Sequence, residues 1–140
     1  MQVRVLYASR AVGPQTTTVT SSILAAAQAH NRKHQITGVL CQGEGLYLQV
    51  LEGERSAVNR LYARILADPR HTDIEMLYLE EITQRRYPDW SMALVNLSDR
   101  DPMVQMQHPE FDPFSASGAF MVMFVDELIA SGRPITHPAA

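Results

Sequence analysis

Residues 46–53 read Leu-Tyr-Leu-Gln-Val-Leu-Glu-Gly, and the amide of Gln49 in the middle of this stretch decides how the chain is organised. Alternation along a strand puts Tyr47, Gln49 and Leu51 on one face and Leu48 and Val50 on the other. Both faces are apolar apart from Gln49, the pattern of a strand buried on both sides. A buried primary amide carries two donors and a two-lone-pair acceptor, and leaving them unpaired costs about 1–3 kcal/mol. Either backbone or trapped water in a packed core satisfies it, or a ligand with mixed donors and acceptors does.

Immediately upstream, Gln42-Gly43-Glu44-Gly45 is a glycine-bearing hairpin turn from a second strand over Gln35–Cys41. The chain opens on another strand, Gln2–Ser9, with Val3, Val5, Tyr7 and Ser9 opposed to Arg4, Leu6 and Ala8. Arg10–Gln15, containing Gly13-Pro14, is a loop; Thr16–Thr18 supply N-cap hydroxyls, and Val19, Ile23, Leu24 and Ala27 recur at helical spacing to about His30. That face continues to Asn31, which is either a second inward amide or a polar stop for the helix.

Downstream of Gly53, Ser56 is placed to cap a helix whose Val58, Leu61, Tyr62, Ile65 and Leu66 make the cleanest apolar stripe in the chain, ending at Asp68-Pro69. A strand over Asp73–Ile82 sets Ile74, Met76, Tyr78 and Glu80 against Leu77 and Leu79. After Pro88-Asp89 a last strand, Trp90–Leu97, carries Trp90, Met92 and Leu94 on one face. The order strand, helix, strand, strand, helix, strand, strand specifies an α+β, ferredoxin-like βαββαββ fold, a mixed sheet with two helices on one face.

From Asp99 the composition changes. Pro102, Pro109 and Pro113 punctuate a connector, and Phe120, Met123, Phe124, Glu127 and Leu128 mark a helix within Ser115–Ser131. This C-terminal helix either crosses the sheet's other face, over Leu6, Leu48 and Val50, or packs on a second subunit. The tail Pro134–Ala140 is expected to be disordered.

The 140 residues suffice for one domain with a core that needs neither disulfide nor metal. At 46% hydrophobic and 19% charged, the composition is that of a globular protein. A net charge of −3 without a basic stripe removes the motive for nucleic-acid binding, Arg32-Lys33 between His30 and His34 being too short a cluster. The single Cys41 lies in an apolar run and reads as a buried thiol of a reducing compartment. With no signal pattern and no apolar run of about eighteen residues, the cytoplasm is expected and no membrane. There is no GxGxxG, Walker loop or paired-cysteine spacing, and His30 with His34 lacks the glutamate of a zinc protease, so no metal site is expected.

Tyr7, Asn31 and Gln49, a phenol and two amides, converge by independent periodicities on the space between sheet and helices. Such a set suits a flat heteroaromatic with alternating carbonyls and ring nitrogens, and a phenol can also give up an electron and a proton. The surrounding residues resemble the BLUF family of flavin-binding blue-light sensors. The matching blocks are VLYAS with Tyr7, Asn31 followed by Ile36-Thr37-Gly38, GLYLQVLEG over Gly45–Gly53, DPRH over Asp68–His71, and RRYPDWSM over Arg85–Met92. Tyr47 and Tyr87 stand where the family commonly has phenylalanine, and Ala93 where glycine is frequent; none of these removes a functional group. The resemblance covers Gln2–Leu97, so residues 1–97 are expected to form the flavin-binding photosensor domain and 98–140 a C-terminal connector and helical extension.

The resemblance implies that Tyr7 is the light-driven electron donor, with its proton leaving alongside, and that Gln49 lies between Tyr7 and the flavin N5/C4=O edge. Rearrangement of that amide would give a small red shift without lasting redox change. By the same resemblance Asn31 holds the pyrimidine edge, Arg70 the C2 carbonyl, Ile23 and Ile65 sandwich the ring, and His30 and His71 line it or its side chain. Trp90 or Met92 contacts Gln49 and passes the signal on; as structure alone, Trp90 is equally a core aromatic and Met92 a packing residue. The family usually carries FAD, and no phosphate loop separates FAD from FMN here. The implied protein is a non-enzymatic blue-light photoreceptor signalling to a partner protein or, as a homodimer, to a second copy. Its rivals are a small flavin-dependent enzyme, for which no spare catalytic pair is visible, and a chromophore-free interaction module.

Overall fold

A computed structural model describes residues 1–97, 111–131 and 134–136. Its strands are β1 (Gln2–Ala11), β2 (Thr37–Gly43), β3 (Leu46–Glu54), β4 (His71–Ile82) and β5 (Ala93–Asn96); its helices are α1 (Thr17–His34), α2 (Arg55–Leu66) and α3 (Gly118–Ser131). The sheet order is β4-β1-β3-β2-β5, with β3 antiparallel to both neighbours and β5 parallel to β2. This is the expected ferredoxin-like arrangement with an added edge strand. The β2–β3 hairpin turns on Glu44 (φ 55°) and Gly45 (φ 76°), a pair of left-handed residues that matches the twist of the flanking strands.

Side-chain parity divides the sheet into two cores. Val3, Val5, Tyr7, Leu51 and Met92 pack with Leu24 of α1 and Val58 of α2. Leu6, Leu48, Val50 and Val95 pack with Met121, Phe124, Val125 and Leu128 of α3. The C-terminal helix thus crosses the face that α1 and α2 leave bare, so closely that a Cβ on Gly118 would meet the Leu77 carbonyl oxygen at 2.1 Å. Its buried stripe keeps Phe124 and Leu128 of the expected set, with Phe120 packed alongside, but Met123 is 50% exposed and Met121 and Val125 take its place.

Several boundaries move. Helix α1 runs past Asn31 to His34 and closes on Gln35 (φ 54°), whose N–H bonds the Asn31 carbonyl. Arg32, Lys33 and His34 complement the negative end of the helix dipole, so Asn31 is not the stop. Helix α2 starts at Arg55 with no side-chain cap, leaving Ser56 in its exposed first turn, and ends at Leu66 rather than at Asp68. In β4, register slips opposite Leu6/Tyr7 and Ala8/Arg10 break the alternation. The neighbours Leu77 and Tyr78 consequently both reach the α3 core.

Trp90 and Met92 precede the four-residue β5, and they do not share a face as strand parity required. Met92 is buried with the α1/α2 core, whereas Trp90 packs toward α3 and stacks on Tyr87 at 6.0 Å with planes 5° apart. The connector from Asp99, with Pro102 and Pro109, lies outside the described residues, as do residues 137–140 of the tail. Pro134–Thr136, expected to be disordered, are instead docked: Ile135 and Leu94 exchange backbone hydrogen bonds of 2.8 Å each.

One buried ionic network went unread in the sequence. On the α3 face of β3, Glu52 pairs with Arg4 (Nη2–Oε2 2.7 Å) and accepts from the backbone N–H groups of Arg86 (2.9 Å) and Tyr87 (2.7 Å). Arg4 also pairs with Glu80. Tyr87 Oη donates to Asp126 of α3 at 2.7 Å, tying the β4–β5 loop to that helix. Among the described residues no helix is long and apolar enough to cross a membrane.

Candidate functional site

Between the sheet and helices α1 and α2 lies a cleft of about 200 Å³. Sites that enclose a whole drug-sized ligand run to roughly 300–1,000 Å³, so this one suits the insertion of one flat end. Cross-strand register builds its floor: Tyr7 of β1 stands opposite Gln49 of β3, which stands opposite Leu40 of β2. Ile23, Ala27, His30 and Asn31 of α1 make one wall, Leu61, Arg64 and Ile65 of α2 the other, and Asp68, Arg70 and His71 follow after α2. All eight residues expected at the flavin, Tyr7, Ile23, His30, Asn31, Gln49, Ile65, Arg70 and His71, line this one cleft.

On the floor Tyr7 Oη donates to Gln49 Oε1, and Gln49 Nε2 donates to the Met92 sulfur at 3.5 Å. The amide is thereby oriented, oxygen to the phenol and nitrogen to the thioether. Of the two relay residues, Met92 touches Gln49, and Trp90 lies on the opposite side of the sheet. Burial raises the Tyr7 phenol far above its ordinary value, with the fields of Tyr62, Asp68 and Tyr47 adding to it. Tyr7 is therefore a neutral phenol at any physiological pH.

Asn31 is 1% exposed. Its Nδ2 donates to the Ser91 carbonyl at 2.7 Å, while its Oδ1 has no hydrogen-bond partner among the described residues. A buried amide oxygen left in that state costs about 1–3 kcal/mol. Lining the cleft as it does, this acceptor calls for a ligand N–H, which is what the pyrimidine edge of a flavin offers. The apolar pair Ile23 and Ile65, one from each helix, provides walls for a flat ring. The residues present therefore fit a flavin.

The cationic residues hold one another or anions. Arg70 is bidentate on Asp68 (Nη2–Oδ2 2.6 Å, Nε–Oδ1 3.0 Å), and this hydrogen bonding holds the Asp68 carboxyl below its usual range. Arg64 Nη1 donates to His30 Nδ1 at 2.8 Å. Partial burial, then the Arg64 charge, lowers the His30 value. His71 Nε2 donates to the Ile65 carbonyl (2.7 Å), so in the neutral ring Nδ1 accepts from the Ser9 hydroxyl (2.8 Å). The Cys41 thiol, on the other face of the sheet, is pushed up to about 12 by burial and takes no part.

The sequence reading missed Arg64, Asp68 and Leu40 as cleft residues, and it missed Gln28 behind the cleft. Gln28 is buried one turn before Asn31 and donates to the Met92 carbonyl at 2.9 Å. Its signal was available: Leu24, Gln28 and Asn31 share a helical face, and a polar side chain at the middle of an inward stripe needs a partner.

Fold and site together define an α+β domain whose cleft takes a flat, hydrogen-bonding heterocycle over a phenol–amide–thioether chain. Over residues 2–93 the chain matches BLUF, described as sensors of blue light using FAD, and it belongs to that family. It is 39% identical over 88 residues to the photoactivated adenylate cyclase subunit beta of Euglena gracilis, a match over 62% of this chain and 10% of that protein. The chain spans about a tenth of the length of the curated relatives it matches. Among solved structures it is similar to BlrB, a BLUF protein in its dark state, with 33% identity, TM-score 0.77, and coverage of 92% of this chain and 95% of that one. It is likewise similar to BlsA in its ground state, with 29% identity, TM-score 0.84, and coverage of 95% and 91%. The chain is thus a blue-light sensor of a family whose chromophore is FAD.

Proposed function

We propose that the light-driven event in this chain is a rearrangement of the Gln49 amide, started by Tyr7, read by Met92 and passed to a partner protein or a second copy, without catalysis by the chain itself. The observation that carries this reading is the continuous contact Tyr7–Gln49–Met92 on the floor of a cleft walled by the unpaired Asn31 oxygen. When bound, FAD supplies the blue-light absorption and an excited state that accepts an electron. Tyr7 is suited to give it, because a phenol that loses an electron becomes strongly acidic and Gln49 Oε1 already accepts its Oη proton. Return of the electron and the proton leaves no net redox change.

Gln49 can finish with its donor and acceptor ends exchanged, by rotation or tautomerism, and no net charge has moved into the core. A carboxylate there would carry a desolvation cost that an amide avoids. After rotation the oxygen faces the thioether, which has nothing to donate, so the Met92 contact is lost. Asn31 Oδ1 would hold the pyrimidine edge and Arg70 the C2 carbonyl, with Ile23 and Ile65 against the ring faces and His30 and His71 at its side.

Both His71 nitrogens are engaged within the protein and His30 Nδ1 is held by Arg64, which leaves no free acid–base pair in the cleft among the described residues and favours a sensor over an enzyme. On this reading residues 1–97 form the sensing unit and 98–140 carry its output, in a reducing cytoplasm in keeping with the lone buried Cys41. The test is Gln49→Leu, which should retain flavin and show no red shift under blue light; a full reversible shift in that variant refutes the mechanism.

A further inference from the structure

Outside the cleft, Gln28 is a second buried polar hub in addition to Glu52. It is 3% exposed, and its Nε2 donates both to the Met92 carbonyl (2.9 Å) and to the Thr136 carbonyl (2.5 Å). One amide nitrogen with two hydrogens thus joins three parts of the chain: α1, the bend that presents Met92 to Gln49, and the segment Pro134–Thr136. Next to Thr136, Ile135 exchanges two backbone hydrogen bonds with Leu94, and Leu94 lies two residues beyond Met92. These contacts cap the outer edge of β5, which would otherwise present unpaired backbone groups.

The stretch around Met92 is the compliant part of this assembly. Ladder pairing of β5 begins at Ala93 opposite Val39, so Met92 lies outside it. Beyond the Gln49 contact, the bend is held by the Gly38 N–H bond to the Trp90 carbonyl, by the Asn31 bond to the Ser91 carbonyl and by the Gln28 bond to the Met92 carbonyl. The two side-chain tethers come from the inner face of α1, three residues apart, and only that of Gln28 reaches Met92 itself.

We propose that Gln28 is a positioning residue that latches Pro134–Thr136 onto β5 in the dark, and that loss of the Gln49–Met92 contact opens the latch. This rests on the photosensor reading above and adds where its signal leaves the core. When Met92 moves, its carbonyl moves with it. Gln28 then gives up one of its two bonds in a place where water does not readily replace it, and the Thr136 and Ile135 contacts loosen together. Light therefore converts a covered sheet edge into an open one.

Amide hydrogen exchange on the FAD-loaded full chain, dark against blue light, tests this at the Leu94 and Ile135 N–H groups. Illumination should speed both by roughly tenfold, the equivalent of one buried hydrogen bond lost. Ile135→Pro removes one of those donors, and Gln28→Leu removes the fork. Each should form the normal red shift while exchanging Leu94 at the lit rate already in the dark. A normal red shift with Leu94 and Ile135 exchange unchanged by light overturns the latch and leaves the photosensor reading standing. Absence of any red shift in the unmodified protein overturns that reading, and the latch with it.

Discussion

Replacing Tyr7 by phenylalanine separates its hydrogen bond to Gln49 from its packing, and so tests the donor role proposed for it. The ring stays in its packing among Tyr62, His71 and the strand neighbours, and only Oη is deleted. Gln49 Oε1 then loses its donor in a core where the residue is 6% exposed. An unsatisfied buried acceptor costs about 1–3 kcal/mol. For a chain of this length that lowers the melting temperature by about 3–10 °C. Flavin retention should be unaffected, since the ring walls and the Asn31 acceptor are untouched. The light response should vanish, because phenylalanine has neither an accessible electron nor a proton to hand to Gln49. The assay is a pair of absorption spectra, before and during blue illumination, on the folded holoprotein, with a thermal melt alongside. A red shift of normal size in Tyr7→Phe refutes the donor role. An unchanged melt with the light response lost would mean that the Tyr7–Gln49 hydrogen bond adds nothing to stability.

Other perturbations discriminate among the parts of the site. Asn31→Leu removes an unpaired buried oxygen as well as the bond to Ser91, so the apoprotein should change by no more than about 1 kcal/mol while flavin affinity falls about tenfold. A large loss of apoprotein stability with unchanged flavin titration would make Asn31 a purely structural residue. Glu52→Ala leaves Arg4 with Glu80 alone and strips the backbone N–H groups of Arg86 and Tyr87 of their acceptor; breaking such a buried pair costs about 3–5 kcal/mol, read as a melting point lower by roughly 10–15 °C. Burial raises Tyr7 above the unfolded value of 10.0, so the native state keeps a proton that the unfolded chain gives up. Its contribution to stability is full below about pH 10 and declines as the pH rises beyond that, while the light-induced shift should be constant from about pH 6 to about pH 9. A shift that titrates within that window would mean that another group controls the photochemistry.

The parity of β1 and β3 was legible because both strands are central and paired on both sides, so alternation has no freedom to slip. That is why Tyr7 and Gln49, read from separate stretches, do meet. The edge elements obeyed other constraints. β4 takes two bulges, one with Asp73 at φ 53°, and β5 is so short that Trp90 and Met92 escape strand geometry altogether. Glu52 illustrates a different limit: on the apolar face beside Leu48 and Val50 a carboxylate reads as a strand end. Its burial becomes intelligible only with Arg4 and the loop backbone of Arg86 and Tyr87, which lie 48 and more than 30 residues away. The docked Pro134–Thr136 likewise depends on Gln28, 108 residues distant from Thr136. Composition near a terminus carries no trace of such a partner.

The placement of Glu52 also bears on where a change at Gln49 can be felt. β3 is laddered to β1 from Gln2 to Arg10 and to β2 from Thr37 to Gly43. Three residues along from Gln49, Glu52 pins the same strand to Arg4 and to the β4–β5 loop. Displacing β3 would break a ladder on each side and a buried ion pair together, several kcal/mol in all. Tyr7 is held as firmly, laddered through β1 on both sides. The contact from Gln49 Nε2 to the Met92 sulfur is the exception, a weak bond of 3.5 Å to a residue outside any ladder. An amide that reverses its ends therefore leaves its strand where it was and moves its softest neighbour. On the proposed mechanism, a signal that began as a hydrogen-bond exchange would leave the site through the bend at Ser91-Met92, because every stiffer route costs more.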